Sequence, residues 1–170
     1  MNKIYTKTGD QGTTQLCDGR RISKDSPRIN ACGCIDELNA FVGLALVYSK
    51  EFAKLNILQQ RLLRIQNKLV KINAQLALAS VQEIITISNV ENLEQEIDEM
   101  NSALPTLNKF ILPGGNKISA HLHIARTVCR RTERVIVQLA KTDAIDNALI
   151  PYLNRLSDWL FVAARFTENI

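Results

Sequence analysis

The chain has 170 residues, 46% of them apolar and 22% charged, with a formal net charge of +4. That length suits one domain with a sizeable single core, and the composition is that of an ordinary globular protein. Few aromatics and seven glycines, most of them outside the periodic segments, favour helices over a sandwich or barrel. Cys17, Cys32, Cys34 and Cys129 lack metal-ligand spacing and read as reduced thiols. The N-terminus has no apolar signal core, and no apolar run approaches the roughly 20 residues of a membrane span. A cytoplasmic protein without membrane contact is therefore expected.

The charge is unevenly spread. Glu91, Glu94, Glu96, Asp98 and Glu99 form one acidic segment, while cations gather near the N-terminus and around Arg126. This asymmetry points to an anionic partner at one site rather than to a coat of nucleic acid. Residues 1–27 read as a loop arm with one extended piece at Lys3 to Thr6, and residues 28–170 as a helical bundle. In the arm, Thr6-Lys7-Thr8-Gly9-Asp10-Gln11-Gly12-Thr13-Thr14 packs two glycines, four hydroxyls and a lysine into nine residues. Such a stretch is either a polar turn or a concave nest of N–H donors for an anion. No glycine-lysine-serine/threonine triplet closes it as a P-loop. Arg20, Arg21, Lys24 and Arg28 add a second cationic patch.

The first helix runs from Arg28 to Ser49, with Ala31, Ile35, Leu38, Val42 and Ala45 as its apolar stripe. Asp36 lies near the edge of that stripe, where its charge needs a partner. A second helix spans Leu55 to about Ser80, with a stripe from Leu58 to Ala79. A third, capped by Ser88 or Asn89, runs to about Ala103 and reads as a solvated acidic face with carboxylates in its first turn. Phe110 to Gly115 is a short apolar, strand-like piece. Phe110 reads as core, yet it lies where the chain turns into the next helix.

That fourth helix, from about Lys117 to Lys141, carries the densest chemistry. With Arg126 at zero and about 100° per residue, Arg130 falls near 40°, Arg134 near 80° and Glu133 near −20°. Three guanidinium groups and a carboxylate thus share a stripe that Arg131 leaves. Guanidinium forks suit phosphate oxygens, although a solvated basic face with Arg130–Glu133 pairing uses the same residues. Asp143 to Leu149 leads to a last helix that Pro151 starts or kinks. There Asn154, Asp158, Phe161 and Arg165 share an arc, for which the arginines of the preceding antiparallel helix are natural partners. His121 reads as surface; His123 shares the Arg126 face, with a hydrogen bond into the site as its minority reading. Neither follows a glutamate by three residues, so a di-iron bundle fails, and two adjacent histidines offer no nucleophilic triad. The architecture is an all-α, up-and-down five-helix bundle forming a single domain.

Five ordered motifs carry a resemblance over nearly the whole chain. They are Lys3 to Asp10, Asp36-Glu37-Leu38-Asn39, Phe110 to Gly115, Arg130 to Arg134, and Tyr152 to Asp158. Together they resemble the PduO-type ATP:cob(I)alamin adenosyltransferases, whose fold is a ferritin-like five-helix bundle assembled as a homotrimer. The resemblance implies transfer of the 5′-deoxyadenosyl group of ATP to cobalt, with Mg²⁺ on the triphosphate and active sites between adjacent subunits. It implies ATP contacts from Thr6, Lys7, Thr8, Gly9, Thr14, Gln15 and Lys24, and from Arg130, Arg131, Thr132, Glu133, Arg134 and Asn154. Asp36 and Arg126 match a pair that bridges the subunit interface. Phe110 matches the aromatic beneath the corrin, and Ser157, Asp158 and Phe161 would stand nearby. No protein-held metal is implied; a cobalamin reductase and an adenosylcobalamin-dependent enzyme are possible partners. Family members often have lysine where Gln11 stands, and many extend past Ile170 with a tail that can touch the corrinoid. The alternatives are a carrier of ATP or adenosylcobalamin and a bundle with a nucleic-acid face.

Overall fold

In the computed structural model, which describes residues 3–78, 83–108 and 110–169, a small hairpin precedes five long helices. The hairpin pairs β1 (Thr13–Gln15) with β2 (Arg21–Ser23) antiparallel, Thr14 opposite Ile22. The arm is thus not simply a loop, and its extended piece is not at Lys3 to Thr6. The β-structure sits among the hydroxyl-rich residues, because a tight turn closed by Leu16 N–H to the Arg20 carbonyl (2.8 Å) aligns Thr13–Gln15 with Arg21–Ser23.

Helix α1 spans Pro27–Ser49. Ser26 caps it by accepting from the Ile29 N–H, and Pro27 fills the first turn, where a missing N–H costs nothing. A 3₁₀ turn (Ala53–Leu55) leads into α2 (Asn56–Leu78). The positions proposed for its last turn, Ala79 and Ser80, lie outside the described residues. Helix α3 runs over Ile87–Ser102 after the cap Thr86, whose N–H donates to Asn89 Oδ1 at 3.1 Å. Asn89 therefore serves as the third-residue partner of the cap, and the first turn contains no acidic residue. Helix α4 is Lys117–Leu139, capped by Asn116, and α5 is Leu149–Glu168. Pro151 falls in the first turn of α5. Asp146 ties that start down by accepting from the Ala148, Ile84 and Ile85 N–H groups, each at 2.9 Å. The Phe110–Gly115 stretch is irregular rather than a strand.

Cross-helix contacts give the order around the bundle as α1–α2–α3–α5–α4, closing back on α1. The sequential helices alternate in direction, as the up-and-down expectation requires. Helix α3, however, lies beside α5 and parallel to it: Glu94 meets Arg155, Glu96 meets Trp159 and Asn101 meets Arg165. The connection from α3 to α4 must therefore cross the end of α5. The core is aliphatic around the fully buried Trp159. On the α3 side it includes one carboxylate, so α3 is not only a solvated face. Glu96 is buried and accepts from Arg64 (2.7 and 2.9 Å) and Trp159 Nε1 (2.8 Å), with Arg61 3.3 Å away. A buried charge persists only with that degree of pairing.

Helix α1 is long and apolar enough to cross a membrane by length and composition, contrary to the expectation from unbroken apolar runs. Core helices of globular proteins pass the same test. One face, Ala31, Ile35, Leu38 and Val42, is wholly buried against α2 and α4, and the outer face exposes Leu44 and Val47.

Candidate active site

The arm curls at Thr6-Lys7-Thr8-Gly9 because Lys7 adopts a left-handed backbone (φ 59°), a conformation sparsely populated outside glycine and typical of functional loops. Arg21 fixes the curl by donating to the Thr8 carbonyl (2.6 Å) and to Thr13 Oγ1 (2.5 Å). A Cβ on Gly9 would stand 3.1 Å from Lys24 Nζ, so glycine there lets the ammonium lie against the backbone. Thr6 and Thr8 share a hydroxyl hydrogen bond of 2.8 Å. Lys7 and Lys24 are exposed and form no ion pair among the described residues. The other cations of the patch are engaged: Arg20 holds Asp18, and Arg28 holds Asp143 at 2.6 Å. Gln15 donates its amide to the Gly19 carbonyl (3.1 Å), closing the hairpin turn where a nucleotide contact was expected.

The second group of residues lies on the antiparallel α4/α5 pair. Matching contacts step along both helices: His123 with Phe161, Cys129 with Leu153, Glu133 with Asn154. At the α4 N-terminal end, a cavity of about 520 Å³ opens between Phe110, Ile111, Leu107 and Pro113 on one side and His123, Arg126 and Phe161 on the other. Phe110 is fully exposed in the chain, which corrects its reading as core. Toward the other end of the stripe stand Arg130 and Arg134, both exposed, beside Glu133, whose Oε1 accepts from Asn154 at 3.0 Å. A pocket with an aromatic wall thus gives way along one helix to a cationic surface, spaced about 6 Å per four residues.

Other expected positions have different neighbours. Arg131 turns aside to pair with Glu37 of α1. Thr132 is completely buried, its hydroxyl shared between the Cys34 carbonyl (3.1 Å) and the Val128 carbonyl (2.9 Å); it clamps α4 to α1 and cannot reach a nucleotide. Ser157 is also buried and donates to the Asn154 carbonyl (2.8 Å), so its hydroxyl does not face a corrin. Asp158 pairs with Arg155 on its own helix at 3.1 Å. Arg165 reaches toward α3 rather than α4, and Asn154 meets Glu133, so among the described residues no member of the arc pairs with an arginine of α4. Among the described residues Glu133 bonds Asn154 and no Arg130–Glu133 pair forms.

His123 is 3% exposed. Its Nδ1 accepts from Arg126 Nε at 3.4 Å, and its ring meets Phe161 edge-on with centroids 6.1 Å apart. Burial and, secondarily, the adjacent Arg126 charge lower its pKa from the usual 6.5, opposed by Glu168. The imidazole is thus neutral and places Arg126 at the cavity wall. His121, by contrast, stacks on Tyr48 at 4.7 Å and belongs to the α1/α4 contact. Cys129 is buried and donates to the Leu153 carbonyl (3.2 Å), with burial pushing its thiol pKa far up, so it is packing and not a nucleophile.

Asp36 is exposed in the α1/α2 groove, and neither it nor the arm forms a hydrogen bond or ion pair with Arg126, Arg130 or Arg134 among the described residues. The arm is tied instead to α2 by the Cys17 N–H to the Ala77 carbonyl (3.1 Å). One chain therefore presents two half-sites on different helix pairs. Sequence reasoning missed Leu107 and Asn108 of the cavity wall, which sit in an irregular segment without periodicity. Among the described residues no group of three His, Cys, Asp or Glu side chains is arranged to hold a metal.

The family model for cobalamin adenosyltransferases matches residues 4–167. The corrinoid adenosyltransferase of Bacillus subtilis (strain 168) is 46% identical over 165 residues, covering 96% of this chain and 85% of that protein. The cobalamin adenosyltransferase of Cupriavidus metallidurans is 44% identical, covering 97% and 88% respectively. Among solved structures, a variant of the PduO-type ATP:corrinoid adenosyltransferase from Lactobacillus reuteri, complexed with cobalamin and ATP, superposes with a TM-score of 0.89 at 36% identity. That match covers 98% of this chain and 91% of the other. Another variant of that enzyme, complexed with ATP, gives a TM-score of 0.87 with 98% and 94% coverage. On sequence and fold together, the chain belongs to the cobalamin adenosyltransferase family.

Proposed function

We propose that this protein transfers the 5′-deoxyadenosyl group of ATP to the cobalt of cob(I)alamin, releasing adenosylcobalamin and triphosphate. The observation that carries the reading is the α4/α5 face, with an aromatic cavity at one end and, along the same stripe, the exposed guanidinium groups of Arg130 and Arg134, neither in an ion pair among the described residues. The cobalt electron pair forms the bond to C5′ while the C5′–O5′ bond breaks and its electrons leave with triphosphate. Such a displacement needs no protein nucleophile or general base, and no such pair stands at this face. The side chains align the two substrates and stabilise charge on the leaving group.

Arg130 and Arg134 take the triphosphate with Lys7, Lys24 and the Thr6–Gly9 nest; Thr14 adds a donor, and Glu133 with Asn154 completes the nucleotide site. Phe110 and Phe161 give the corrin an apolar wall that keeps a lower axial ligand from cobalt, with Asp158 at its edge. Mg²⁺ enters with ATP: it is coordinated mainly by phosphate oxygens and water, which suits a face without a carboxylate cluster.

We infer that the site closes between neighbouring copies in a homotrimer, the arm of one subunit over the arginine face of the next. The separation of the half-sites supports this, as do the exposed Leu44, Val47, Leu63 and Val70 on α1 and α2. In that assembly Asp36 meets Arg126 across the interface, Nε of Arg126 being already held by His123. The free thiols suit a reducing cytoplasm, where a cobalamin reductase would supply substrate and an adenosylcobalamin-dependent enzyme would take product. The test is turnover of Mg·ATP with chemically reduced cobalamin, followed by corrin absorbance. A flat trace from well-folded protein would defeat the proposal. Sedimentation at a single 19.1 kDa chain mass under assay conditions would defeat the trimer.

A further inference from the structure

The segment that carries Phe110 leaves α3 on one side of α5 and enters α4 on the other, because α3 and α4 flank α5. It must pass the last turn of α5, and that turn holds it on both sides. Before the crossing, the buried Arg165 donates to the Pro105 carbonyl at 2.6 Å and reaches Asn101 Oδ1 at 3.4 Å. After it, Asn116 Nδ2 donates to the Thr167 carbonyl at 2.6 Å, and Ser119 donates its hydroxyl to Glu168. Gly115 lies under Glu168 with φ +80°, and a Cβ there would be 2.7 Å from the carboxylate. Only glycine allows so close an approach in that conformation. Between the two anchors, Phe110, Ile111 and Pro113 hang over the α4/α5 groove and form one wall of the cavity.

We propose that Arg165 and Glu168 are positioning residues for the corrinoid: one turn of α5 grips both ends of the crossing segment and so sets where Phe110 stands. This rests on reading the cavity as the corrinoid site. Neither residue lines the cavity, and the ATP-binding arm is attached elsewhere, to α2. Loosening the grip therefore lets the wall drift while the cationic stripe on α4 stays in place.

The experiment compares Glu168→Ala, Glu168→Gln and Gly115→Ala in the full chain, with Arg165→Lys as a probe of the other anchor. Glu168 is exposed, so its replacement leaves the core intact. Hydrogen–deuterium exchange should quicken in residues 106–115 of Glu168→Ala and Gly115→Ala, with α1 and α2 amides unchanged. The KM for cob(I)alamin should rise roughly ten- to a hundredfold, while ATP affinity measured without corrinoid stays at the wild-type value. Glu168→Gln keeps an acceptor for Ser119 and should restore most of the difference. Unchanged exchange in Glu168→Ala overturns the proposal, as does a parallel loss of ATP and corrinoid affinity tracking a fall in Tm. Should the wild type itself fail to turn over, the activity reading falls, and the exchange measurement alone still decides the clamp.

Discussion

Replacing Arg130 by alanine separates catalysis from folding more cleanly than any other change on this face. Its side chain is exposed and forms no hydrogen bond or ion pair among the described residues; only its backbone carbonyl is used, by Arg134 at 3.0 Å. Surface substitutions of that kind change stability by no more than about 0.5 kcal/mol, a shift of Tm of about 2 °C or less for a chain of this size. Against that small structural effect stands the loss of a charge-assisted hydrogen bond to phosphate, about 1.5–3 kcal/mol. If the bond strengthens as the triphosphate leaves, kcat/KM falls roughly 10- to 150-fold. Lysine should recover only part of it, since the ammonium keeps the charge but loses the planar fork. The assay is corrin absorbance under saturating reduced cobalamin with ATP varied, alongside a thermal melt. Unchanged kinetics refute the role of Arg130 in the leaving-group site. A kinetic loss accompanied by a Tm drop of comparable free energy refutes the independence from folding.

Phe110→Ala removes a ring that packs on nothing in the single chain, so the melt should be unchanged and ATP binding spared, while reduction of the Co(II) corrinoid is impaired and its bound absorption spectrum shifts toward a five-coordinate form. Thr132→Val deletes a buried hydroxyl shared by two carbonyls; about 1 kcal/mol of stability should be lost in denaturant unfolding, with the KM for ATP unchanged. Since His123 has a folded pKa below its unfolded value of about 6.5, the folded state binds fewer protons than the unfolded one between the two values. Stability should be full above about pH 6.5 and decline as pH falls through the folded pKa, and His123→Asn should flatten that decline in a pH series of melts.

The helices were legible because burial imposes a 3.6-residue period on Ala31 to Ala45 and Leu58 to Leu76; the caps Ser26 and Asn116, which mark two of their starts chemically, went unread. The stripe of Arg126, Arg130, Glu133 and Arg134 followed from helical geometry alone. What escaped was tertiary. Glu96 looks like one more carboxylate of an acidic helix until Arg61, Arg64 and Trp159 are seen to converge on it. Thr132 and Ser157 sit within functional motifs but at angles that point inward, so a motif read as a block assigns them chemistry their burial denies. Phe110 was misread for the opposite reason: an apolar residue was given to the core by default, whereas the crossing segment holds it away from the core. The hairpin was missed because three-residue strands are too short to show alternation.

The division of the cationic groups between two faces has an electrostatic rationale. Four cations close enough to bind a triphosphate repel one another strongly when nothing lies between them, and a single chain would bear that repulsion in every empty state. Here Lys7 and Lys24 stand with the arm over α1 and α2, while Arg130 and Arg134 stand on α4, and Arg20, Arg28 and Arg131 are neutralised by Asp18, Asp143 and Glu37. In the proposed trimer the two sets approach only across an interface, where Mg·ATP screens them and Asp36 can offset Arg126. In the same proposed assembly the aromatic wall of the cavity comes from one chain, held as proposed by the last turn of α5, with the neighbour's Asp36 reaching only Arg126 at its edge. On that proposal nucleotide capture depends on assembly, whereas the placement of the aromatic wall depends on the fold of the subunit. Weakening the interface should accordingly raise the KM for ATP before it affects cavity geometry.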